Sequence, residues 1–316
     1  MRLLKTTLAL AAATVFTATT SVHAQDYPVR PIKLIIPQGV AGGSDLVARA
    51  MATEIQQRLG QPFVVENKPG GNETIGPDIV AKAPPDGYTI GIISSTYSIN
   101  QTHVGPKLPY DPQKAFTPIA PMVRIPMIVM VRTDLGVNDL RQLAAVSKAQ
   151  PGKLNYGSGG PTTFQGMATE WLRRLSGSDL TAVTYGGAGQ LQGIMGGDLH
   201  VLLGGPAAAA PVMASGKAKV IATTGATRSL ISPNIPTVAE TYPGYEIVPW
   251  YGFVAPAGTP PAVVKKLNEA ITGAITAITP KLMEMGNEPM KMTPAEFQAF
   301  MNKDLDLWKK IADAVK

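Results

Sequence analysis

Three times in this chain a short apolar run breaks into a glycine-rich turn and then into a helical pattern, at residues 34–46, 154–165 and 199–207. A strand, a glycine turn and a helix in that order leave the first amides of the helix unpaired at the end of a strand. The helix dipole is positive there, so each unit is a ready anion site. Repetition of the unit calls for a sheet fed by crossover helices, and the chain reads as α/β with mostly parallel sheet. The fullest example is Lys33 to Arg49. Leu34-Ile35-Ile36 is a buried strand, Pro37 ends it, and Gln38, Gly39, Gly42, Gly43 and Ser44 make the turn. Val47, Met51, Ile55 and Leu59 then recur every four residues, with Ser44 as the helix N-cap and Gly60 as its stop.

The same reading continues along the chain. Strands are expected at 62–66, 88–93, 127–131, 154–158, 180–183, 199–203 and 220–223, with a segment at 242–253 leading back. Helices are expected at 74–83, 138–150, 190–195, 260–277 and 294–314, after the turn at 159–163, and from Pro206 to Gly216. Residues 106–126 are rich in proline and read as a connection with little regular structure. Two α/β lobes follow, one from 25–125 with 247–316 and the other from 126–246, joined near 124–127 and 246–250.

Residues 1–24 stand apart. Arg2 and Lys5 form a basic start, Leu8 to Phe16 an apolar middle, and Val22-His23-Ala24 a small-residue cleavage site. That is the pattern of a secretory signal peptide, with Gln25 the first mature residue and the periplasm the expected location. No other stretch stays apolar for the roughly 18 residues of a membrane span. The chain has no cysteine, which excludes disulfides, thiol nucleophiles and cysteine-held metals. Removing Arg2 and Lys5 from the 28 basic residues leaves 26 against 22 acidic ones, a mild balance. No basic block interleaved with aromatics is present, so a nucleic-acid partner is not expected.

Catalytic patterns are equally sparse. Beyond the leader only His103 and His200 remain, and no G-x-S-x-G elbow occurs. A secreted hydrolase would need a triad assembled from distant residues. No HExxH or His–carboxylate cluster points to a metal, and 187–192 (GAGQLQ) lacks the third glycine of a dinucleotide fingerprint. Neither a cofactor nor a catalytic residue is assigned. Binding is the better reading, because turns at 38–44, 158–163 and 186–190 each offer neutral donors to a carboxylate. The candidate set is Gln38, Gly39, Gly42, Gly43 and Ser44 on one jaw. Ser158, Gly159, Thr162 and Thr163 face them, and Ser95, Thr96, Tyr185, Gly189, Gln190, Gly204 and Gly205 form the walls. Trp250 and Tyr251 read as hinge or core residues.

The chain resembles the substrate-binding receptors of tripartite tricarboxylate transporters, the Bug receptors. The resemblance rests on 27–37 (YPVRPIKLIIP), 42–45 (GGSD), 60–71 (GQPFVVENKPGG), 75–76 (IG), 80–83 (VAKA) and 85–89 (PDGYT). Further along, 108–112 (LPYDP), 151–156 (PGKLNY), 236–240 (PTVAE) and 255–260 (APAGTP) complete it in order. It implies a two-lobed periplasmic binding protein of type II-like, Venus-flytrap form, acting as a monomer. Such a receptor captures a small carboxylate between the turns at 38–44 and 158–163 and delivers it to the membrane components of the transporter. A sensor feeding a signalling partner is the alternative within the same architecture. The family usually has an apolar residue, alanine, proline and three glycines in the first turn. Here Gln38-Gly39-Val40-Ala41-Gly42-Gly43 stands instead. Where the strand at 199–203 is usually followed by an aspartate, this chain has Gly204-Gly205-Pro206. The missing acid argues against an amine-bearing ligand, because a buried ammonium without a partner is costly. The expected ligand is a dicarboxylate or an aromatic carboxylate.

Overall fold

The computed structural model describes residues 27–185 and 189–315. The expected signal peptide therefore lies outside the described residues, as do 186–188 of the third candidate turn. The chain opens with β1 (Ile32–Ile36), α1 (Gly43–Leu59), β2 (Phe63–Asn67), α2 (Ile75–Ala81), β3 (Thr89–Ser94), α3 (Ser95–Asn100) and β4 (Phe116–Arg124). It crosses to β5 (Ile128–Arg132), α4 (Leu140–Ala149), β6 (Asn155–Ser158), α5 (Phe164–Ser176), β7 (Thr181–Thr184) and α6 (Gly189–Gly196). Then come β8 (Val201–Gly204), α7 (Pro206–Ala214), β9 (Ala218–Thr223) and α8 (Val238–Thr241). It returns through β10 (Trp250–Pro256), α9 (Pro261–Ala277), α10 (Thr279–Glu284), β11 (Glu288–Pro289) and α11 (Pro294–Ala314).

Two sheets result, ordered β11-β4-β10-β3-β1-β2 and β7-β6-β8-β5-β9. They are mixed, not mostly parallel. β3, β1 and β2 pair in parallel, as do β7, β6 and β8, but β10 and β5 run antiparallel to both their neighbours. The reason lies in the crossovers. Tyr251, near the start of β10, pairs with Ser94 at the end of β3, and Ile128 at the start of β5 pairs with Gly204 at the end of β8. A chain arriving from the other lobe enters each sheet at the end where the parallel strands finish. Its first strand must therefore point the opposite way.

The proline-rich stretch is not a bare connection. Its second half is the nine-residue strand β4, with Pro118 opposite Val254 and Pro121 opposite Gly252. The β4–β10 register shifts beside Gly252 and again beside Val254, so both prolines sit where the ladder is already interrupted. On its other side β4 meets only the two residues of β11, opposite Arg124 and Val123.

The first core joins the apolar face of β1 (Ile32, Leu34, Ile36) and the α1 stripe (Val47, Met51, Ile55, Leu59) to Leu267, Ile271 and Ala274 of α9. Helix α1 ends at Gly60 as expected, in the left-handed conformation. The second core gathers Val129, Leu143, Tyr156, Met167, Val201 and Tyr245. Ile99 of α3 and Trp308, Ile311 and Ala312 of α11 also join it. Helix α11 therefore spans both lobes, since its earlier residues Phe297 and Met301 pack against Trp250 and Ile93 of the first sheet. The crossover segments lie side by side, with Ile125 N–H donating to Pro249 O at 2.8 Å and Met127 N–H to Thr224 Oγ1 at 3.0 Å.

Candidate ligand-binding cleft

The carboxyl ends of β1, β2 and β3 open on one side of a cleft of about 750 Å³, and those of β6 and β8 on the other. Ligands in open α/β sheets bind at such strand ends. Of the sequence candidates, Gln38, Ser95, Thr96, Gly159, Thr163, Gln190, Gly204 and Gly205 line this cleft. Gly39, Gly42, Gly43, Ser44, Ser158, Thr162, Tyr185 and Gly189 are not among its lining residues.

Local chemistry accounts for several of these placements. Ser44 is not the N-cap of α1, which is Gly42 with no side-chain cap. Ser44 is buried inside the first turn, and its N–H and its hydroxyl both donate to Gln38 Oε1 at 2.9 Å. The first jaw thus spends its serine on orienting Gln38. Behind it, buried Asp45 accepts from Arg49 Nε at 2.8 Å, Asn67 Nδ2 at 2.9 Å and Ala41 N–H at 2.9 Å. Burial raises the Asp45 pKa, but these three donors outweigh it and hold the carboxyl below its ordinary range. The last bond also fixes Ala41, a non-glycine residue at φ 64°. Gly43 permits a close approach: a Cβ there would lie 2.5 Å from Tyr251 Oη.

On the opposite jaw, Ser158 Oγ accepts from Gly160 N–H at 3.0 Å and is buried. Thr162 is exposed. Thr163 caps α5, with Oγ1 accepting from Gly166 N–H at 3.1 Å and donating to Gly160 O at 2.8 Å. Gln165 donates through Nε2 to Gln190 Oε1 at 2.7 Å and to Leu203 O, tying α5 to α6 and β8. Gly205 caps α7, with Pro206 at its first position. The second wall is therefore built from helix beginnings, whose free amides favour an anion.

Several lining residues were not visible in the sequence. Ile125, Met127, Phe164, Leu202, Leu203 and Pro249 make the middle of the cleft apolar. Tyr251, expected in the hinge or core, reaches it as well, whereas Trp250 is fully buried. Burial and the neighbouring Glu73 push the Tyr251 pKa up to about 12, so its hydroxyl keeps its proton. Asn72 and Glu73 line the cleft too, at φ 52° and 64°, in the left-handed region that non-glycine residues seldom occupy. Glu73 accepts from Gln38 Nε2 at 2.7 Å and from Ser94 Oγ at 2.6 Å. Burial raises its pKa, against the lowering by these two donors. The only local signal for the pair was a polar stretch between a glycine turn and a helix. No lysine, arginine or histidine lines the cleft among the described residues. His103 instead lies 3.6 Å from Asp313, and His200 Nδ1 accepts from Asn155 N–H at 3.1 Å. Among the described residues no cluster of His, Cys, Asp or Glu can hold a metal, and no helix is long and apolar enough to cross a membrane.

Residues 47–316 match the family model described as the tripartite tricarboxylate transporter family receptor. The chain belongs to this family. BugT of Bordetella pertussis is 30% identical over 292 residues, covering 91% of this chain and 90% of BugT. Among solved structures, R. palustris Rpa4515 with adipate is 30% identical, with a TM-score of 0.79 and coverage of 92% and 98% of the two chains. The periplasmic binding protein BugD is 29% identical, with a TM-score of 0.76 and coverage of 92% and 98%. These likenesses make the two-lobed receptor architecture the fold of this chain, and the Bug-type resemblance read from its motifs holds over nearly its whole length.

Proposed function

We propose that this Bug-type receptor captures a small carboxylate in the cleft between its sheets, without chemical turnover, and delivers it to the membrane components of a tripartite tricarboxylate transporter. One observation carries this reading. The second wall sets the start of α5, at Thr163, beside the start of α7, at Gly205, with no basic side chain between them. Unpaired helix amides stabilise a carboxylate without a full positive charge, which keeps binding reversible. A ligand that touches both walls favours the closed arrangement of the lobes, and closure presents a joint surface to a membrane partner. The adipate seen in Rpa4515 is a ligand of this chemical kind. Export through residues 1–24 would put the receptor in the periplasm.

The hydrolase reading loses ground, because neither remaining histidine lines the cleft. The ligand expectation also changes. An amine was set aside because no acid follows β8, yet Glu73 brings one into the cleft from the β2–α2 turn. The dicarboxylate and aromatic carboxylate choices therefore stand without that exclusion. A calorimetric panel of mono-, di- and aromatic carboxylates with purified protein tests the proposal. Saturable binding of at least one is expected, and no binding of any would end it.

A further inference from the structure

The one formally charged side chain that the described cleft residues contribute is Glu73, and the two donors around it favour its ionised form against the burial that raises its pKa. Ser44 N–H is an obligatory donor and points at Gln38 Oε1 at 2.9 Å, so the Gln38 amide must turn its Nε2 to Glu73 Oε1. Thr96 N–H donates to Ser94 Oγ at 3.0 Å, which leaves the Ser94 proton for Glu73 Oε2. Both carboxylate oxygens therefore accept. A protonated Glu73 would have to break one of these bonds or aim its proton into the cleft.

This carboxylate has no cationic partner among the described residues. The nearby ion pair of Asp45 and Arg49 lies behind the Gln38 turn and is closed on itself and Asn67. The other titratable group that faces Glu73 is the phenol of Tyr251, which stays neutral. A desolvated charge without a counterion is unfavourable, and burial already pulls the group towards its neutral form. The residue is nonetheless not fully buried and lines the cleft, so a small molecule there can reach it. The turn that holds it is locked, since Asn72 Nδ2 donates to Asn100 Oδ1 at 2.8 Å and Asn100 Nδ2 to Asn72 O at 2.7 Å. Residues held at left-handed angles by such a lock are the kind of strain found at binding sites.

The two walls thus differ in sign. Helix beginnings make the second lobe attractive to an anion, and Glu73 makes the first lobe repel one. We propose that the ligand is a small carboxylate bearing a protonated amine on the end that faces the first lobe, where the amine pairs with Glu73. This rests on reading the cleft as a carboxylate receptor site. A plain dicarboxylate would put its second carboxylate against Glu73, whereas an ammonium there gains a charge-assisted hydrogen bond. The apolar middle of Ile125, Met127 and Leu202 suits the methylenes between the two ends.

Valerate, glutarate and 5-aminovalerate share one carbon chain and differ at one end only, as methyl, carboxylate and ammonium. Butyrate, succinate and 4-aminobutyrate form a shorter set. Calorimetry with the native protein is expected to rank the amino carboxylate tightest in at least one set. In Glu73→Gln its affinity should fall by about thirtyfold, while that of valerate or butyrate changes little. Glu73→Gly, which relieves the left-handed angle and therefore folds readily, should show the same selective loss. If glutarate or succinate binds the native protein more tightly than the amino carboxylates, the amine pairing is overturned and the receptor reading stands. The same holds if both variants keep native affinity for them. If no carboxylate of either kind binds, both fall together.

Discussion

Glu288 of β11 accepts the hydroxyl proton of Ser229 at 2.7 Å, and this bond ties the first sheet to the loop that follows β9 of the second. The same Oε1 accepts from Leu230 N–H at 2.7 Å, and Oε2 accepts from Arg124 Nε at 2.7 Å. Arg124 is the last residue of β4, immediately before the chain crosses. One buried carboxylate thus holds the outgoing crossover and a loop of the far lobe together.

Glu288→Ala leaves three donors facing a void, and Arg124 without its buried partner. Removing one member of a buried pair costs several kcal/mol, but Arg124 is partly solvated, so a loss of about 2–3 kcal/mol is expected. Ser229→Ala removes two hydrogen bonds, the one to Glu288 Oε1 and the one accepted from Ile231 N–H, and should cost about 1–2 kcal/mol. Urea unfolding at constant pH measures both. Equal losses would show that the carboxylate does not act as a shared acceptor.

Thr163 serves the fold as well as the cleft. From the sequence alone, Thr163→Ala is expected to weaken ligand binding and leave the melting temperature of the free protein nearly unchanged. The cap it makes on Gly166 changes that expectation. Loss of a threonine cap costs about 1 kcal/mol, a fall of roughly 2 °C in a domain of this size. Thr163→Ser keeps the hydroxyl and should restore stability. Scanning calorimetry of the three ligand-free proteins decides it, and identical melting would remove the cap from the account.

Much of the fold was legible because its units are local. The β1–α1, β6–α5 and β8–α7 segments announce themselves by an apolar run, a glycine turn and a renewed helical period. β4 was hidden because its prolines suppress the strand signal, and only the interrupted register with β10 makes them tolerable. The site was legible in outline for the same reason as the fold, since strand ends and helix starts mark it. Its chemistry was not. Ser44 looked like a donor to a ligand, but Gln38 folds back and takes both of its hydrogens. The polar stretch around Glu73 did not show where its carboxylate points, because that depends on two left-handed non-glycine residues and on Gln38 and Ser94, distant in sequence. Hydrophobic periodicity reports which faces are buried; it does not report where a loop carboxylate points.

Gly252 lies on β10 under the Phe297 ring, and a Cβ there would run into that ring. Phe297 in turn meets the Trp250 ring edge to face, with centroids 5.6 Å apart. Gly252→Ala is expected to destabilise the protein by about 2 kcal/mol through overpacking. In a Phe297→Leu background the same substitution should cost markedly less, because the obstructing edge is gone. A double-mutant cycle in urea measures the coupling, and additive losses would place the strain elsewhere.

Asp304 on α11 makes stability depend on pH. Burial pushes its pKa up to about 6, although Ser98, Trp250 and Trp308 favour the charged form. Its Oδ2 is shut off from solvent without a hydrogen-bond partner, as are Ser98 Oγ and Trp250 Nε1. In the unfolded chain the same carboxyl titrates near 4. Between about pH 4 and pH 6 the folded protein therefore holds a proton that the unfolded chain has released. Stability from this group is full below that window, falls as pH rises through it and stays reduced above, by on the order of 2 kcal/mol. Asp45 and Glu240, whose pKa values are lowered, act in the opposite direction, but they are common to the native protein and a variant at 304. Asp304→Asn keeps the shape without the charge, so its stability relative to native should improve between pH 4 and pH 7. Urea midpoints for both proteins at the two pH values test this, and a difference independent of pH would mean that Asp304 stays ionised throughout.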